Sequence, residues 1–169
     1  MNGWNNTNYI LIVLASNVLG LLILFFAWKN QRIGRLLLFF LFGWAGCTNW
    51  YTVTHSPSDY VDYANFALLP FYQSFIRGWF SEHVLEVVGL IATGQLMISI
   101  AMLLKGWLFR TASRAGIVFM FAIIPLGVSS GFPFPLIVSL AFYLLILNPA
   151  IDFIWKTEKV QRPSFFLNT

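Results

Sequence analysis

Glu82, His83 and Glu86 stand together at the start of a long apolar run, and no other residues here are as well suited to acid–base chemistry. A carboxylate inside an apolar span is costly, so it needs a partner, water or a raised pKa. Glu82 has a structural explanation, because a carboxylate in the first turn complements the positive end of the helix dipole. Glu86 lies one turn further in, about 6 Å along a helix that rises about 1.5 Å per residue. His83, three residues earlier, is placed to pair with it. Glu82, Glu86, Gly89 and Thr93 follow a spacing that puts them on one helix face. Glu86 therefore reads either as a structural group or as a ligand or proton site. Thr48 and Asn49, near the outer end of the preceding apolar run, are expected at a similar depth; Asn17, Gln95 and Ser99 lie deeper. Isolated amides and hydroxyls in such spans bond across to neighbouring helices.

Other chemistries fit poorly. A zinc site built on the two histidines, His55 and His83, would have to recruit Asp59, Asp62 or Glu82, with no recognised ligand spacing. Neither histidine lies deep enough in a span for haem held between two imidazoles. The sequence has no nucleophile elbow, phosphate-binding loop or zinc-protease motif. A single cysteine, Cys47, excludes an internal disulfide and an intramolecular dithiol couple. Asn5-Asn6-Thr7 matches a glycosylation acceptor beside a span.

The elements that must position these residues follow from composition. The chain is 59% hydrophobic and 9% charged, against about 25% charged in soluble domains. It reads as one all-α membrane domain over residues 1–169. The net charge of +4 does not point to nucleic acid, because the basic residues cluster beside apolar runs. Lys29, Arg32 and Arg35 follow the first run, Lys105, Arg110 and Arg114 the third, and Lys156, Lys159 and Arg162 the fifth. Cytoplasmic segments retain Lys and Arg, so these clusters belong inside, with the N-terminus outside and the C-terminus inside. The first run lacks a basic segment before it and is too long for a signal peptide, so it reads as a retained span.

A span needs about 20 residues, and five are expected: 8–28, 36–53, 82–104, 113–128 and 133–155, with an outer interfacial segment at 55–80. Tryptophan favours the headgroup level. Trp4, Trp50 and Trp79 fall at expected outer ends and Trp28, Trp107 and Trp155 at inner ends; Trp44 alone lies mid-span. In the outer segment, Ser56-Pro57-Ser58-Asp59 reads as a capped helix start, and Pro70 interrupts the aromatic run that follows. This run holds Tyr60, Tyr63, Phe66, Phe71, Tyr72, Phe75, Trp79 and Phe80. It reads either as an aromatic belt or as a lid over a cavity between helices. Gly127–Pro135 is expected as a tight outer turn, with a re-entrant dip as the alternative. Gly43 with Cys47, and Gly89 with Thr93, supply small residues for close helix contact, and Asp152 with Lys156 are spaced as a helical pair.

Several segments together resemble the DoxX-like family of small bacterial integral membrane proteins. They are RIGRLLLFFLFGWAG (32–46), Leu69-Pro70-Phe71-Tyr72, EVVGLIATGQLMISIAMLLKG (86–106) and IIPLGVSSGFPFP (123–135). The resemblance covers about residues 32–148. It implies a four-helix transmembrane bundle with the first span as an N-terminal addition, and an association with quinone-linked membrane redox metabolism. It supplies no catalytic signature. The leading functional expectation is a non-catalytic accessory or ligand-binding protein of the bacterial cytoplasmic membrane. It would hold a quinone, isoprenoid or lipid, or dock beside a membrane redox partner or a second copy of itself. Glu86 and Asn49 would meet the ligand's polar end, with Glu82, His83 and Thr48 nearby, and Tyr60, Tyr63 and Trp79 would belong to the cover. The alternatives are an enzyme acting on a lipid-soluble substrate, with Glu86 as acid or base, and a small transporter. Deep charged pathways and internal repeats, which a transporter would use, are missing.

Overall fold

The computed structural model describes residues 7–147 and 152–155, and all regular structure within them is helical. Trp4, the Asn5-Asn6 pair and the Lys156–Arg162 basic cluster lie outside the described residues. Seven α-helices follow in order: α1 Thr7–Lys29, α2 Gln31–His55, α3 Ser58–Val61, α4 Pro70–Phe75, α5 Val84–Ala101, α6 Gly106–Ile123 and α7 Phe134–Leu147. Four helices are long and apolar enough to cross a membrane: Ile10–Lys29, Gln31–His55, Val84–Ala101 and Gly106–Gly127. The helix expected as the fifth span has 14 residues within the described part.

Several boundaries differ from expectation, each for a local reason. α2 begins at Gln31 because the Asn30 side chain accepts from the Arg32 and Ile33 amides, a working N-cap. α6 begins at Gly106 rather than 113, so Arg110 and Arg114 ride on its first turns instead of in a loop. Ser56 does not cap the next helix; it closes α2, its amide bonding the Thr52 carbonyl at 2.7 Å. Pro70 opens α4 rather than breaking it, at a first-turn position where its missing N–H costs nothing. A π turn, Ile76–Phe80, links α4 towards α5.

Packing makes a ring. α2 lies along α5, α1 along α7, and α7 along α6, while α1 also meets α2. α1 packs along α7 and α2, which also touch each other through Phe42 and Phe142. Close approach of α2 and α5 depends on Gly46, where a Cβ would lie 2.9 Å from the Ala92 carbonyl oxygen and 2.8 Å from Leu96. Cys47 and Thr93, the expected small-residue partners, face outward instead. Ser99 donates to the Phe39 carbonyl at 2.7 Å across the same contact. The 124–135 connection is a compact turn: a 3-10 stretch, Ile124–Ser130, then Gly131 leading into α7. Gly127 sits at φ 63° beside the Phe66 carbonyl, and the Leu68 amide bonds Pro125 at 2.8 Å. Asn17 Nδ2 reaches the same turn, donating to Gly131 at 3.0 Å.

Arg35, counted in the sequence only as a topology signal, is 2% exposed. Its Nε donates to Met102 at 2.7 Å, Nη1 to the Asp152 main chain at 2.7 Å, and Nη2 to Leu104. The guanidinium also lies 4.5 Å above the Phe109 ring. It therefore joins α2 to the end of α5, the start of α6 and the segment after α7. Replacing Arg35 by Met keeps the length but leaves these carbonyls unpaired, which should cost about 3 kcal/mol or more. The expected outcome is a large drop in apparent Tm of the detergent-solubilised protein. Arg35→Lys should recover only part of it, since one ammonium cannot match the planar fork; full recovery would show that charge alone suffices.

Candidate functional site

Two packing clusters divide the interior. One holds Ile23, Leu38, Phe42, Ile98, Met102, Phe109, Met120, Phe142 and their neighbours, towards the end marked by Arg35. The other holds Val53, Tyr60, Ala64, Ala67, Ile76, Phe80, Val84 and Val88, under the outer segment. Large rings fill the first: Phe42 meets Phe142 edge-on at 5.4 Å and Phe119 at 6.1 Å. The clusters do not close on one another. Between them lies a cavity of about 460 Å³, within the size range of pockets for small hydrophobic ligands.

Three long helices, the outer segment, and the turn before α7 with Leu126, Ser130 and Phe134 wall this cavity. α2 supplies Phe42, Ala45 and Asn49, α5 supplies Val88, Ile91 and Gln95, and α6 supplies Phe119 and Ile123. The outer segment contributes Tyr60, Tyr63, Tyr72, Phe75, Ile76 and Phe80. Of the two readings of that segment, the geometry matches the cover over a cavity. Among the described residues, none that lines the space is charged. Trp44, Phe75 and Ala122 stand at its rim and are exposed on the flank of the bundle, Trp44 by 68%. The mid-span tryptophan of the sequence thus marks the cavity's edge.

A directed chain of hydrogen bonds enters this apolar space. Tyr60 donates its hydroxyl to Asn49 Oδ1 at 2.8 Å, and Asn49 Nδ2 donates to Gln95 Oε1 at 2.7 Å. The expectation that span amides bond across helices holds for Asn49 and Gln95, while Asn17 reaches the turn before α7 instead. Gln95 is 5% exposed and Tyr60 8%. No family model, curated protein or solved structure matches this chain. The site is therefore read from its own geometry.

The other sequence candidates lie elsewhere. Glu86 is exposed and, with Glu82, borders a shallow groove beside Pro57, Ser58 and Ser81 on the far side of the outer segment. The helix face expected for Glu82, Glu86, Gly89 and Thr93 is interrupted at His83, whose φ of −124° and ψ of 25° start α5 afresh. Gly89 turns inward against Trp50 while the other three are exposed. His83 does not pair with Glu86; its Nδ1 donates to the Trp79 carbonyl at 2.9 Å and its ring stacks on Trp79 at 4.5 Å. Trp79, exposed and stacked between His83 and Phe75, sits outside the cavity. Thr48 spends its hydroxyl on the Trp44 and Ala45 carbonyls of its own helix. Asn49, Tyr60 and Tyr63 are brought together at the cavity, and Gln95, which the sequence suggested only as a structural amide, joins them. Among the described residues no three of His, Cys, Asp and Glu converge.

Burial pushes the Tyr60 phenol up to about 12, above its usual 10.0. The folded state thus holds the proton more tightly than the unfolded chain. The resulting stabilisation is complete below about pH 10 and is lost as the pH rises through about 12. An ultraviolet titration should show a tyrosine component near pH 12, and Tyr60→Phe should delete it. A Tyr60→Phe profile identical to wild type would place the hydroxyl in contact with water.

Proposed function

We propose that this chain is a non-catalytic membrane protein that holds a hydrophobic small molecule between its helices. The observation that carries this reading is the uncharged, aromatic-walled cavity of about 460 Å³ with one polar cluster on its wall. A packed interior leaves few voids larger than a water molecule, so a space this size lined by apolar side chains calls for an occupant. Quinone, isoprenoid and lipid remain the proposed classes, in keeping with the DoxX-like resemblance and its link to membrane redox metabolism. The polar end falls to Tyr60, Asn49 and Gln95. Glu86, exposed and outside the cavity, is not positioned to act on a molecule held there, which speaks against it as the acid or base of an enzyme. A redox partner or a second copy of the chain would take the ligand from, or deliver it to, this site.

The same reading places the chain in a bacterial cytoplasmic membrane with five crossings, N-terminus outside and C-terminus inside. α7 alone covers about 21 Å at about 1.5 Å per residue, short of a hydrocarbon core of about 30 Å. Yet Phe134 lines the cavity, while Asp152 meets Arg35 and the Ile154 amide meets Leu103 at the opposite end, where α5 stops. Phe134 and Ile154 therefore lie at different levels of the bundle, which supports a fifth crossing.

Mass spectrometry of small molecules extracted from protein purified in mild detergent tests the ligand. One hydrophobic species should be enriched stoichiometrically, retained in Glu86→Gln and lost in Ala45→Phe, which fills the cavity from α2. Bulk phospholipid alone in every sample would favour docking to a partner over ligand binding. Cysteine-accessibility labelling in a Cys47→Ser background tests the topology. A cysteine near the N-terminus should react from outside the cell and one at Thr111 only after permeabilisation; the reverse pattern would invert the chain.

A further inference from the structure

The hydrogen bonds around the cavity have a direction, and that direction selects the ligand. Tyr60 spends its proton on Asn49 Oδ1, and Asn49 Nδ2 spends one of its protons on Gln95 Oε1. Tyr72 donates to the Ala122 carbonyl at 3.0 Å, and Ser130 to the Gly127 carbonyl at 2.7 Å. Both acceptor oxygens of the amide pair are thereby engaged from within the protein. Each of these oxygens keeps a second lone pair, but the amide group that makes no bond at all is a donor: Gln95 Nε2 has no hydrogen-bond partner among the described residues, on a side chain that is 5% exposed and lines the cavity. The Nε2 atom is not sealed inside the protein but open on the cavity side, so a ligand acceptor can reach it and gain a hydrogen bond worth about 0.5–1.5 kcal/mol.

We infer that Gln95 offers its amide N–H to a hydrogen-bond acceptor, in the simplest case a carbonyl oxygen, on a neutral hydrophobic ligand. This rests on the ligand-binding reading above and narrows it. The absence of any charged lining residue among those described disfavours phosphate or ammonium headgroups, which would be stripped of water without a counter-charge. A ligand whose only polar group is a donor could reach a second lone pair of an amide oxygen but would leave Nε2 unpaired. A pure hydrocarbon would fill the space and leave Nε2 unpaired. Carbonyl-bearing molecules satisfy both the shape and the polarity of the site.

Three probes of one shape separate these cases: 9-fluorenone, with a carbonyl acceptor, fluorene, with none, and N-methylacridinium, with a fixed charge. Binding is measured by equilibrium dialysis of the protein in nanodiscs against empty nanodiscs of the same lipid. Fluorenone should bind one per chain, about five- to tenfold more tightly than fluorene, and N-methylacridinium should show no specific uptake. Gln95→Met, close in shape but without the amide, should equalise fluorenone and fluorene while leaving fluorene binding in place. Equal affinity of fluorenone and fluorene for the wild type would overturn the assignment to Gln95 and leave the cavity as a site of apolar filling. So would a fluorenone preference that survives in Gln95→Met. Specific N-methylacridinium uptake would overturn the neutral-ligand inference. No specific binding of any probe would overturn the ligand-binding reading itself. The wild-type ranking decides the matter even where a Gln95 variant fails to fold.

Discussion

A guanidinium removed from water must satisfy five N–H donors, and Arg35 draws on main-chain carbonyls from two distant stretches of the chain to do so. Two of these carbonyls, at Met102 and Leu104, belong to the turn that ends α5, where the helix dipole is negative and carbonyls lack intrahelical partners. The third, at Asp152, belongs to the segment that follows α7. The Asp152 carboxylate adds favourable electrostatics, and the Phe109 ring covers one face of the guanidinium. One side chain thus satisfies the exposed end of a helix and fixes where the neighbouring elements stop. The aromatic core of Phe42, Phe109, Phe119 and Phe142 stands on this base.

The opposite end of the bundle is organised differently. There the outer segment folds into short α, 3-10 and π turns that cannot span anything alone and instead bury Tyr60, Ala64, Ala67, Ile76 and Phe80 against α2 and α5. The Leu68–Pro125 and Asn17–Gly131 hydrogen bonds tie this cover and α1 to the turn between α6 and α7. Two ends fixed independently need not meet perfectly in the middle. The cavity is the space left between them, and the Tyr60–Asn49–Gln95 chain gives each of its two amide oxygens a donor.

The helical architecture and the long apolar helices were legible in the sequence because they depend on composition, which acts over whole segments. Trp28, Trp107 and Trp155 are exposed, but so is mid-span Trp44, so exposure alone does not set the interfacial tryptophans apart. Arg35 was legible as a charge but not as a buried clamp, because its partners are main-chain carbonyls that no residue type announces. Glu86 misdirected the reading of the site. A carboxylate near a span start signals cost, but which way it faces depends on the break at His83, a backbone feature invisible in residue spacing. Asn49 and Gln95 were each visible as span amides, yet their pairing joins residues 46 positions apart. The signal that was available, a lone tryptophan at mid-span, pointed to the rim of the cavity without saying what it bordered.

The placement of that rim has a consequence for how occupancy is controlled. Trp44 lies near the middle of α2, lines the cavity and is exposed, so under the ligand-binding proposal the route in would pass it on the flank of the helices. In the membrane setting proposed for the chain, a molecule using that route arrives from the acyl-chain region without crossing water. Its relevant concentration is its mole fraction in the bilayer. Saturation would then follow the ratio of ligand to lipid, and diluting the membrane with inert lipid would empty the site even when the total amount of ligand is unchanged. Such a protein reports on the composition of its own solvent.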